Sequence, residues 1–186
     1  MKIGCLGWGS LVWNPKDLPV RGLWFSDGPL LPIEFARQSK DERITLVLCE
    51  GVSLVRSLWA LMSVDGIDEA VKRLAERERI PSKNISTSLG IWSSDSKDTN
   101  ELTQMIGNWA ESLALDAVIW TALPPKFNGE KGKMPSADEV ILHLSNLPHE
   151  KRKHAEEYIR MTPRQIDTDY RRKIEAALHW TPLSKI

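Results

Sequence analysis

Apolar residues alternate or run together through the first half of the chain and recur at three- and four-residue steps through the second. Ile3–Gly7, Leu30–Arg37, Arg43–Cys49 and Leu54–Met62 read as strands. The last two are separated by Glu50-Gly51-Val52-Ser53, which predicts an antiparallel hairpin. The period then changes: Ile67, Ala70, Val71 and Leu74 share one helical face and predict an amphipathic helix over Asp65–Arg79. Leu89–Trp92 and Ala117–Thr121 add short strands. Asp98 with Glu101 three residues on predicts a capped helix carrying Leu102, Met105, Ile106, Trp109 and Leu113. Ser136 with Glu139 marks a second start. Thr162-Pro163-Arg164-Gln165 marks a third, whose stripe is Ile166, Tyr170, Ile174 and Leu178. Pro124–Pro135 is the longest irregular segment, a solvated connection or a loop over a pocket. The pattern predicts an α+β fold with a mixed or barrel-like β-sheet. It reads as a single domain over 1–186, with a β-rich core over 1–122 and a helical extension over 135–180.

Composition narrows the class. The chain has 186 residues, with 25 Lys and Arg against 25 Asp and Glu, so no net field favours nucleic acid or an anionic membrane. There is no long apolar run that would span a bilayer and no basic leader with an apolar stretch behind it. Cys5 and Cys49, both in predicted strands, read as buried reduced thiols, and the expectation is a cytoplasmic protein. Most of the eight tryptophans are expected in the core or in a pocket wall.

The first strand ends in Gly7-Trp8-Gly9-Ser10-Leu11, a loop with two glycines and a hydroxyl residue. Two readings stand side by side. Glycine lets a ligand reach bare amide donors, as in small anion or oxyanion sites; equally, these are packing glycines in a tight strand turn. Ser10 lacks the second glycine of a nucleophile elbow, since Val12 stands there. His143, His149, His154 and His179 lack metal-ligand spacing, no Cys-x-x-Cys occurs, and the phosphate-loop patterns are absent, so neither a metal nor a cofactor is expected. Carboxylates remain. Glu76 and Glu78 lie at the C-terminal end of the Asp65–Arg79 helix among Arg73, Arg77 and Arg79. The helix dipole makes a negative charge costly there, and a buried carboxylate at that end would hold its proton more tightly. The competing reading is a salt-bridged helix end. Glu34, alternating with Ile33 and Phe35, is a second candidate that an outward-facing strand position would also explain.

Taken in order, these segments resemble the gamma-glutamylcyclotransferase-like family, which includes ChaC-type and AIG2-like proteins. The resemblance rests on Trp8-Gly9-Ser10-Leu11 after strand one, on the strand Val55-Arg56-Ser57-Leu58-Trp59, and on the helix end Leu74-Ala75-Glu76-Arg77-Glu78-Arg79-Ile80. It covers about residues 1–92, and three positions depart from the family pattern: Ser57 for glycine, Ala75 for aspartate and Arg79 for glycine. The resemblance implies a cofactor-independent reaction on a small-molecule substrate. The α-amine of a gamma-glutamyl group attacks its own γ-carbonyl, forming 5-oxoproline and releasing an amine. It implies Glu78 as general acid and base and Trp8, Gly9, Ser10 and Leu11 as the substrate-binding loop. Arg37 is a candidate for the glutamyl carboxylate, because a guanidinium meets a carboxylate by two parallel hydrogen bonds. Two alternatives remain: a non-catalytic small-ligand or peptide-binding module walled by Trp8, Trp13 and Trp59, and an amide or ester hydrolase using Ser10.

Overall fold

In the computed structural model, which describes residues 1–95 and 100–183, the chain is α+β and divides into two compact units. Their segments interleave along the sequence. One unit takes Met1–Gly7, Asn14–Leu31 and Arg56–Leu123; the other takes Trp8–Trp13, Pro32–Val55 and Pro124–Ile186.

The first unit is built on β1 (Ile3–Gly7), which is buried along its whole length because it runs down the middle of a five-stranded sheet. On one side β1 pairs antiparallel with β6 (Leu58–Met62), which in turn carries the edge strand β2 (Val20–Phe25). On the other side β1 runs parallel to β8 (Ala117–Thr121), and β7 (Leu89–Ser93) closes the sheet antiparallel to β8. Two longer helices pack on this sheet, α2 (Ile67–Glu78) on β8 and α4 (Glu101–Ser112) on β7 and β8. A short α3 (Ile85–Ser88), entered through a 3-10 turn, leads into β7. Ala70, Leu74 and Ala75 are the buried residues of α2, and Asp68 and Glu69 in its first turn complement the positive end of the dipole. The start of α4 differs from expectation. Asn100 is the cap, accepting from Leu102 N and Thr103 N, while Asp98 lies outside the described residues.

The second unit holds the other sheet. β3 (Leu30–Gln38) pairs antiparallel with β4 (Ile44–Leu48), and the three-residue β5 (Leu54–Arg56) also pairs with β3. The expected hairpin between the Arg43–Cys49 and Leu54–Met62 runs is therefore absent, and the second run is two strands. The break falls at Ser57, fully buried, whose N–H and hydroxyl both donate to the Pro29 carbonyl, at 3.1 and 2.8 Å. The segment expected to be irregular, Pro124–Pro135, contains a small hairpin of β9 (Lys126–Phe127) and β10 (Glu130–Lys131), and β9 pairs parallel with β3.

Three helices complete this unit: α5 (Ala137–Ser145), α6 (His149–Met161) and α7 (Asp169–Leu178), with the one-turn α1 (Ser10–Trp13) beside α6. Ser136 and Glu139 form the expected capping box. Thr162-Pro163 does not start a helix; it closes α6, and α7 begins after Thr168, which caps it through Arg171 N. The cause is Arg171. Its guanidinium is 1% exposed and donates to the carbonyls of Thr162, Pro163 and Ile166, holding the connection in a non-helical course.

Five of the eight tryptophans are buried and the other three are half-buried, as expected of core and wall residues. Both cysteines are free and buried. Among the described residues no helix is long and apolar enough to cross a membrane.

Candidate functional site

Glu78 is the last residue of α2, and the chain turns immediately after it. Arg79 adopts φ 55° and ψ 40°, the left-handed region, with its N–H on the Glu76 carbonyl, while Ile80 N–H reaches the Ala75 carbonyl at 2.8 Å. These two bonds make a Schellman ending, in which the residue after the helix is usually glycine. The position where the gamma-glutamylcyclotransferase-like pattern has glycine is thus the position whose backbone here favours one.

The Glu78 side chain is 21% exposed and its carboxylate sits 3.0 Å from Arg77 Nη1. Burial raises its proton affinity above that of an ordinary glutamate; the charges of Arg77 and Lys16 work in the opposite direction. Full burial and, after it, the Glu78 charge raise the thiol pKa of Cys5 on β1, with the Arg77 charge working the other way. Arg77 is held from a second side, donating through Nη2 to the Asn14 carbonyl at 2.8 Å. Glu76, two residues away, is 53% exposed and makes only a loose pair with Arg73 at 3.7 Å. Glu78 and not Glu76 is the carboxylate with an unusual environment.

The chain leaves β1 at Gly7 and enters the second unit at Trp8. Neither glycine of the loop has positive φ. Each is there because something lies close against it. A Cβ on Gly7 would stand 2.5 Å from the Trp24 ring, and one on Gly9 would stand 2.5 Å from the Tyr158 hydroxyl. Trp8, Gly9 and Leu11 are buried, and Ser10 is half-buried at the start of α1, where Gly9 O accepts from Val12 N at 2.9 Å. Tyr158, from α6, also meets Trp13 and Phe35 edge-on and lies under the Arg43 guanidinium. Sequence reasoning passed over Tyr158; the spacing Ala155, Tyr158, Ile159 and Thr162 on one helical face was the available signal.

No family model, no curated protein and no solved structure matches this chain.

The remaining candidates have local roles. Arg37, half-buried in β3, donates through Nη1 to the Pro124 carbonyl at 2.6 Å, tying the start of the β9–β10 segment to the sheet. Glu34 is not an outward strand residue. It is 1% exposed, because β3 is covered on both faces there. It accepts from Phe35 N at 2.8 Å, Thr168 Oγ1 at 2.5 Å and Tyr170 N at 3.1 Å, and so completes the N-terminus of α7 from the sheet. Burial outweighs these bonds and raises its proton affinity, and the nearby Cys49 thiol is pushed up to about 12 by its own burial and by the Glu34 charge.

Among the four histidines, His143 is engaged through Nε2 with the Glu42 carbonyl at 2.7 Å, and His149, His154 and His179 are exposed. His143 borders a shallow groove of about 620 Å³ in the second unit, with Phe127, Asn128 and Lys151. Among the described residues there is no cluster of three or more His, Cys, Asp or Glu able to hold a metal ion.

Proposed function

We propose that this chain is a gamma-glutamylcyclotransferase-like enzyme that cyclises a gamma-glutamyl amide to 5-oxoproline and releases the amine. The observation that carries the reading is the end of α2: a carboxylate with four-fifths of its side chain out of solvent, at the negative end of a helix, followed by a left-handed residue. That is the residue to which the sequence resemblance assigns proton transfer. A carboxyl group whose proton affinity is raised by burial is suited to accept a proton from the substrate ammonium and to return one to the leaving nitrogen near neutral pH. Nucleophile and electrophile belong to one substrate molecule, so the entropy of encounter is largely removed and the protein has chiefly to orient and to move protons.

The test incubates the purified protein with a panel of gamma-glutamyl amides and detects 5-oxoproline by mass spectrometry, with Glu78→Gln and Glu76→Gln in parallel. Wild type and Glu76→Gln should form product, and Glu78→Gln should lose turnover by about 10²-fold or more. Equal turnover in Glu78→Gln would remove the residue from the mechanism, and no product from folded wild type would remove the reaction.

The Arg77–Glu78 ion pair favours a second reading, a binding module on the same framework, because a carboxylate committed to a guanidinium is a weaker proton acceptor. Retention of a gamma-glutamyl amide without turnover would select it.

A further inference from the structure

We propose that Arg77 is the positioning residue for Glu78: anchored on the Asn14 carbonyl, its guanidinium fixes where the Glu78 carboxylate sits and sets the charge that the carboxylate meets.

Neighbouring residues on a helix normally point in different directions and do not pair. Here they do, with Arg77 Nη1 3.0 Å from Glu78 Oε1, at a point where α2 has reached its last turn. The guanidinium is itself immobilised. Its side chain is 8% exposed, and Nη2 donates at 2.8 Å to the carbonyl of Asn14, in the segment that leads to β2. One planar fork therefore bridges a backbone oxygen from another part of the unit and the carboxylate. Lysine, a point charge on a flexible stem, cannot make this bridge with both groups fixed.

The electrostatics give the bridge a purpose. Two features around Glu78 favour its neutral form: burial and the negative end of α2. Two cations oppose them, Arg77 on α2 itself and Lys16 on the segment after α1. Lys16 is exposed and so is screened by solvent, whereas Arg77 is not. Arg77 is the buried cation of the two, and its charge works against burial, the larger effect on Glu78.

The role rests on the proposed function only for its consequence in catalysis, and the experiment separates the two. Glu78 is titrated directly by carbon NMR in protein labelled with ¹³C at the glutamate carboxyl, the signal being assigned by its loss in Glu78→Gln. In Arg77→Gln the midpoint should rise by a pH unit or more; in Arg77→Lys it should return most of the way to wild type. Turnover of gamma-glutamyl amides is followed over pH in the same variants. The acid limb of the profile should move up with the Glu78 midpoint in Arg77→Gln, and Arg77→Lys should restore the limb while lowering kcat, because the anchored fork is gone. A Glu78 midpoint that does not move in folded Arg77→Gln overturns the proposal. Should Arg77→Gln not fold, an Arg77→Lys variant whose Glu78 midpoint, acid limb and kcat all match wild type overturns it as well, because the anchored fork is then dispensable. A moving midpoint in a protein that forms no 5-oxoproline upholds Arg77 and overturns the cyclotransferase reading.

Discussion

Glu34→Ala should be among the most destabilising substitutions in the second unit. The Glu34 carboxylate holds the Thr168 hydroxyl and the Tyr170 N–H, and Thr168 in turn caps α7 through Arg171 N. Removing it strands three donors, these two and the Phe35 N–H, the Thr168 hydroxyl and Phe35 being fully buried, at about 1–3 kcal/mol each. Relief of the cost of burying the carboxylate offsets part of this. The net expectation is a loss of about 3–5 kcal/mol, out of a total stability on the order of 5–15 kcal/mol. Glu34→Gln keeps the shape and one acceptor but turns an NH₂ group toward a donor, so it should cost about 1–2 kcal/mol. The pH dependence has a definite sign. Burial raises the proton affinity of Glu34 in the folded chain, so the native state binds more protons than the unfolded state across the window above the ordinary glutamate value. Stability of the wild type therefore falls as pH rises through that window, while Glu34→Gln has no group to ionise there. The gap between wild type and Glu34→Gln should be widest at acidic pH and should narrow upward. Urea unfolding from pH 4 to 8 measures both quantities as shifts in midpoint. An alanine variant within about 1 kcal/mol of wild type, or a gap that widens with pH, would refute the account of Glu34 as a buried cap.

Two further substitutions probe close contacts and backbone conformation. Gly9→Ala places a Cβ 2.5 Å from the Tyr158 hydroxyl, with the ring carbon behind it at 3.5 Å; it should cost about 1–3 kcal/mol. Tyr158→Phe removes that oxygen, so the double variant should recover most of the loss, and a double-mutant cycle without coupling would refute the contact. Arg79→Gly relieves a left-handed non-glycine residue and should stabilise by about 1 kcal/mol, raising Tm by roughly 2–4 °C in calorimetry; a lower Tm would show that the Arg79 side chain contributes more than its backbone costs.

How far the fold was legible follows from where each element is buried. β1 and β8 appear in the sequence with the bounds they have in the structure, because strands covered on both faces are written as continuous apolar runs. β2 was invisible for the opposite reason. It is an edge strand with Leu23 85% exposed and a bulge between Arg21 and Phe25, so neither alternation nor burial marks it. A hairpin between the Arg43–Cys49 and Leu54–Met62 runs is expected because nearby strands usually pair; β3 instead forms the hairpin with β4 and also takes β5, a choice that the residues at 50–53 do not encode. The start of α7 was misplaced because Thr162-Pro163 carries the chemistry of a helix start. The side chain of Arg171, further along, takes the carbonyls of Thr162, Pro163 and Ile166, and a turn bond, Ile166 N–H to the Pro163 carbonyl, forms there.

The candidate site was legible in a more uneven way. A glycine in a sequence says that something approaches the backbone, and not what approaches. At Gly7 it is a tryptophan from β2 and at Gly9 a tyrosine hydroxyl from α6, neither of which the loop itself could disclose. The end of α2 could be read better, since the apolar stripe stops at Leu74–Ala75 and a carboxylate stands in the last turn against the dipole. What concealed its meaning was the run of arginines, which supports a solvated, salt-bridged end equally well. The structure divides that run by burial. Arg73 pairs with exposed carboxylates, Arg79 turns the backbone, and Arg77 alone of the three is withdrawn from solvent against Glu78. An ion pair on the surface gains little because water screens it; the same pair with both partners mostly buried shifts a protonation equilibrium against the effect of burial. The distinction between a solvated helix end and a buried one is therefore carried by the depth of a single guanidinium, which residue spacing alone does not report.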